Sequence, residues 1–126
     1  MPLFASDRIR DEWVSGQLWP LARLLTRELC LLALHSDWTP LLTCIYRTFE
    51  EDREIGGSAL HCYWRAVDVR TRDVDEATVA HCTDALNERW VYDPERPRLV
   101  VALSKPHGTG PHLHLQVHAR TRLRAG

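Results

Sequence analysis

A chain of 126 residues, 44% hydrophobic and 26% charged, has the size and composition expected of one soluble globular domain with a single core, and its composition argues against disorder. Sixteen basic residues against seventeen acidic ones leave a formal net charge of -1, so there is no electrostatic footprint of a nucleic-acid or anionic-membrane binder. Cys30, Cys44, Cys62 and Cys82 form no CxxC pair and "MPLFASDRIRDEW" has no basic-then-apolar leader pattern, so reduced thiols and cytoplasmic synthesis without a signal peptide are expected.

From Glu12 to about His35, apolar residues recur at helical spacing through Trp13, Leu18, Leu21, Leu25, Leu29 and Leu32. Pro20 starts or kinks a helix there, so a helical part over about 8–36 is predicted, as one helix or two. Its longest apolar run, "LCLLALH", is far shorter than the roughly 20 residues that span a bilayer, and no membrane insertion is expected.

"PLLTCIYRT", residues 40–48, mixes β-branched and apolar residues as a strand does, and "FEEDREIGGS" reads as a polar helical turn ending in glycines. "RAVDVRT" is a second strand, with Ala66, Asp68 and Arg70 on one face and Val67 and Val69 on the other. Asp75 caps a helix over "EATVAHCTDALNERW", whose Val79, Cys82 and Leu86 share a stripe. Strands follow at "RLVVALS" and "HLHLQVH", and the basic end "ARTRLRAG" reads as a solvated terminus. These elements make a single α+β domain over 1–126, with a mostly antiparallel central sheet and flanking helices.

The last strand carries the chemistry. Alternation puts His112, His114, Gln116 and His118 on one face and Leu113, Leu115 and Val117 on the other, so imidazoles face a cleft or solvent while leucines face the core. A metal site needs further ligands, and "LHCYWRAVDVR" offers His61 with Asp68 seven positions on. Two histidines and a carboxylate make three protein ligands and leave a fourth position for water, the pattern of a catalytic zinc. His35 and His81 are surface groups on this reading, and the cysteines small core residues, with Cys62 turned away from the metal.

"SALHCYWRAVDVRTRDVD" followed by "GPHLHLQV" resembles the D-alanyl-D-alanine carboxypeptidase family, in the superfamily shared with lysostaphin-type peptidases and the hedgehog signalling domain. The resemblance implies that fold, a metal-site core over about 38–118, and Zn2+ held by His61 and Asp68 of a His-(six)-Asp motif and by His114, the second histidine of His-x-His. "TCIYRTFEED" resembles the strand that carries the family's substrate-contacting arginine, which maps to Arg47. Trp64 stands where the family usually has glycine, Ala59 where it has serine, and Gly108, Thr109, Gly110 and Pro111 where the carboxypeptidases place a catalytic acid. His112 therefore takes the catalytic position, as in the lysostaphin branch, with His107, Asp93 and Glu95 as weaker candidates.

The function implied is hydrolysis of amide bonds in bacterial peptidoglycan stem or cross-link peptides. Arg47, Trp64 and Gln116 would contact substrate in a monomer, and an endolysin-like phage or prophage protein would act on the wall after release. The alternative is an inactive hedgehog-like zinc module that binds wall peptide or a protein partner.

Overall fold

The computed structural model describes residues 1–106 and 110–125 and is an α+β fold. The chain enters through β1 (Leu3–Phe4) into α1 (Asp7–Val14), where the Ser6 hydroxyl accepts from the Ile9 amide at 3.3 Å and caps the first turn. Gly16, with φ +80, turns the chain out of α1, and Pro20 opens α2 (Pro20–His35) at a position where its missing N–H would be unpaired anyway. The stretch expected to be helical over about 8–36 is thus two helices, the first starting at Asp7, where Ser6 supplies the cap.

Next come β2 (Leu41–Cys44), α3 (Phe49–Glu54), a 3-10 turn (His61–Tyr63) and β3 (Ala66–Arg70). They are followed by α4 (Glu76–Arg89), β4 (Trp90–Val91), β5 (Ala102–Lys105), β6 (His112–Gln116) and β7 (Arg122–Leu123). The main sheet has the order β1-β2-β3-β6-β5 and is antiparallel except for the β1–β2 pair, while β4 and β7 form a separate ribbon.

The strand expected through Thr48 stops at Cys44. Its register against β3 shifts between Leu42 and Cys44, and Thr48 and Glu51 then close a reciprocal capping box that starts α3. The strand expected from Arg98 begins only at Ala102, after a turn in which the Leu99 amide bonds the Arg96 carbonyl.

The two faces of the β3–β6 pair have different tasks. Val67, Val69, Leu113, Leu115 and Val117 are fully buried in one core with Ala22, Leu25 and Leu29 of α2 and Cys82 and Leu86 of α4. Burying each such aliphatic side chain contributes about 1.5–3 kcal/mol. The opposite face carries Ala66, Asp68, His114 and Gln116, and the core behind it holds them in a fixed register. Among the described residues, no helix is long and apolar enough to cross a membrane.

Candidate metal centre

Asp68 is the middle of the site. It pairs directly with His114 across the β3–β6 ladder, and its Oδ1 lies 2.8 Å from His114 Nδ1. The turn before β3 brings His61 against the same oxygen, with Nε2 3.3 Å away at an angle that makes no hydrogen bond. Oδ2 faces the other way and accepts from Arg47 Nη2 at 3.2 Å. His61, Asp68 and His114 are 3%, 5% and 3% exposed, so each polar atom there needs a partner within the protein.

The outer nitrogens show which ring atoms carry protons. His61 Nδ1 lies 3.0 Å from the Ile45 carbonyl, an acceptor only, so Nδ1 is the protonated nitrogen. Gln116 Nε2 donates to the Val100 carbonyl at 2.8 Å, which leaves Gln116 Oε1 to accept from His114 Nε2 at 3.1 Å. In their neutral forms both histidines therefore turn a bare nitrogen toward Asp68 Oδ1. Three lone-pair atoms converge with no donor of their own among them, an arrangement that demands a proton or a metal cation.

The charge states reflect that demand. Burial is the largest influence on His61 and opposes its charging, but the facing Asp68 and Cys44 outweigh it and push its pKa up to about 10. For Asp68, burial favours the acid form, yet contact with His114 and His61 holds the carboxyl far below the usual range. Burial lowers His114 despite Asp68.

Cys44, expected from the sequence to be a small core residue, belongs to this cluster. Its Sγ is 3.5 Å from His61 Nδ1, and this sulfur, a nitrogen of His61 and an oxygen of Asp68 lie within 4.8 Å of one another, so the three could hold a metal ion. A cavity of about 440 Å³ reaches this edge of the site, lined by Cys44, Tyr46, Arg47 and Asp68 on one side and by Arg8 and Glu12 of α1 on the other.

Two residues expected to contact substrate have protein partners instead. Gln116 is buried, with both ends of its amide on protein partners, so it positions His114 instead of facing substrate. Trp64 stacks on Tyr46 at 4.6 Å between ring centroids and packs on the core, and it is Tyr46 that lines the cavity. Trp64 also adopts φ +61 as the chain leaves the 3-10 turn, the left-handed conformation that glycine takes without strain.

His112 lies two residues before His114 on β6, its Nδ1 3.0 Å from the Gly110 carbonyl, with Arg70 and Lys105 as cross-strand partners. Asp93 is fully buried in ion pairs with Arg96 and Arg120, and Glu95 pairs with Arg120, so both carboxylates serve that separate network. His107, Gly108 and Thr109 lie outside the described residues. No family model, curated protein or solved structure matches the chain.

Proposed function

We propose that the protein is a zinc-dependent peptidase that hydrolyses amide bonds in peptidoglycan stem or cross-link peptides, with His61, Asp68 and His114 as metal ligands. The observation that carries this reading is the convergence of His61 Nε2 and His114 Nδ1 on Asp68 Oδ1, at 3.3 and 2.8 Å. Ligand atoms about 2.0–2.1 Å from zinc at tetrahedral angles stand roughly 3.3 Å apart; the His61–Asp68 pair has that spacing, and the His114–Asp68 contact at 2.8 Å would open to admit the metal. The Ile45 carbonyl and Gln116 hold the outer N–H of each imidazole, as metal-ligating histidines require. Zinc, when bound, supplies Lewis acidity that polarises a carbonyl and activates water.

The chain's own residues do the rest. Arg47 meets a ligand in the cavity with a guanidinium suited to a carbonyl or carboxylate oxygen. His112, next on the His114 face of β6, accepts and relays the proton. The wall-peptide substrate, the hedgehog-like fold and an endolysin-like origin are supported by the resemblance of "LHCYWRAVD" and "PHLHLQV" to the peptidase superfamily. The test is mass spectrometry of muropeptides released from purified peptidoglycan by zinc-loaded protein. Wild type is expected to cleave, His114→Ala to lose cleavage, and His112→Ala to fall by roughly a hundredfold or more. Equal release by wild type and His114→Ala, or none by wild type, contradicts the proposal.

A second reading, a zinc module without turnover, is favoured by Cys44, because a fourth protein donor closes a metal shell. We prefer His114 as the third ligand because the Cys44 sulfur approaches Nδ1 of His61, the nitrogen bonded to Ile45, and not the bare Nε2. Cys44→Ser separates the two: it leaves a peptidase site loaded and active, and it strips zinc from a closed one.

A further inference from the structure

Asp52 of α3 is buried at 5% exposure, and its two oxygens reach the metal centre by separate routes. Oδ1 lies 3.3 Å from Arg47 Nη1, while Nη2 of the same guanidinium holds Asp68 Oδ2 at 3.2 Å. Oδ2 accepts from the Ala59 amide at 3.0 Å, two residues before His61, where the chain passes through φ +68. The loop closes tightly on this carboxylate. The Gly57 amide bonds the Asp52 carbonyl at 3.0 Å, and a Cβ built on Gly57 would lie 2.2 Å from Oδ1, so a side chain there would push the carboxylate away.

A buried carboxylate costs stability unless it is paired, and among the described residues the Asp52 carboxylate is paired only with groups that lead to ligands. With one carboxylate partner, a long arginine side chain keeps several rotamers; with two on opposite arms, its planar fork is fixed. Arg47 then occupies Asp68 Oδ2 and leaves Oδ1 as the oxygen that faces the imidazoles.

The geometry points to Asp52 as a positioning residue of the metal centre: it fixes Arg47 on Asp68 Oδ2, so that one oxygen alone faces His61 and His114, and it anchors the loop that delivers His61. This rests on the zinc reading above. The test compares metal-free wild type, Asp52→Asn and Gly57→Ala, titrated with zinc against a chromophoric chelator and with cobalt(II) for its visible spectrum. Each variant is expected to bind zinc about tenfold more weakly, the usual scale for supporting residues of a metal site. Each should also weaken the cobalt bands, as the second oxygen of Asp68 joins the coordination shell. Gly57→Ala leaves the carboxylate in the chain and moves it off Arg47, so it decides the matter if Asp52→Asn does not fold. Stoichiometric zinc in the wild type with folded variants that match its affinity within about twofold, and its cobalt spectrum, overturns the role of Asp52. A wild type that takes up no zinc overturns the metal reading, and this one with it.

Discussion

His114 stands across the β3–β6 ladder from Asp68, with its Nδ1 2.8 Å from the carboxylate's Oδ1 and its Nε2 3.1 Å from Gln116 Oε1. Gln116 fixes the Nε2 proton, so contact with Asp68 requires either a second proton on His114, which burial disfavours, or a cation. His61 faces the same oxygen and holds its proton more firmly. Competition between protons and metal at this oxygen gives the first prediction.

Without metal, His61 has a folded pKa of about 10 against an ordinary 6.5. Its contribution to stability is complete below pH 6.5 and is lost as pH rises through about 10, because the folded state binds the extra proton across that interval. Chelator-treated protein should therefore melt at progressively lower temperature from pH 7 to 10. Zinc displaces this proton, so about one proton should be released per zinc near neutral pH, with affinity rising about tenfold per pH unit. Calorimetric titration in buffers of different ionisation enthalpy measures the release. Zinc binding that releases no proton and does not depend on pH contradicts the assignment of His61.

Asp68→Ala removes the shared partner of two histidines and an arginine. Arg47 keeps Asp52 as a partner, but buried His61 loses the carboxylate that holds its proton, so the substitution should destabilise the fold by about 3–5 kcal/mol and abolish zinc uptake. Urea unfolding and metal analysis check the two effects; a loss under about 1 kcal/mol would mean that these charges are solvated as in a surface pair.

Gln116→Leu keeps much of the side-chain volume but frees His114 Nε2 and the Val100 carbonyl. Zinc affinity should fall 10- to 100-fold while the fold persists. Unchanged affinity in a chelator competition would show that the tautomer of His114 is set by something else.

Trp64 combines a strained backbone with a stacked ring, and two variants separate these contributions. Trp64→Ala loses the ring and keeps φ +61, while Trp64→Gly loses the ring and relieves the backbone. Both should be less stable than the wild type, with glycine ahead of alanine by about 1–2 kcal/mol. Equal melting temperatures for the two variants would contradict the strain.

Much of the site was legible in the sequence because strand alternation is a local rule. Val67 and Val69 against Asp68, and Leu113 and Leu115 against His114, sort to the two faces as their spacing requires. Cys44 and Asp52 were not legible, because a strand continued to Thr48 would put Cys44 and Arg47 on opposite faces. The strand instead stops at Cys44, where its register shifts, and the turn that leads into the Thr48–Glu51 capping box lets both reach Asp68. The two-residue strands β1, β4 and β7 are fixed by pairing with distant segments and leave no periodic signal. The hydrogen bond from the Gln116 amide to the Val100 carbonyl was not legible, because that partner is set by the path into β5.

The most direct test of the metal centre is zinc-edge X-ray absorption on protein loaded with one equivalent of zinc. The expected shell is nitrogen and oxygen at about 2.0–2.1 Å, with two imidazoles and no sulfur. A sulfur scatterer near 2.3 Å would place Cys44 in the shell and close the site, and failure to retain zinc would remove the peptidase reading.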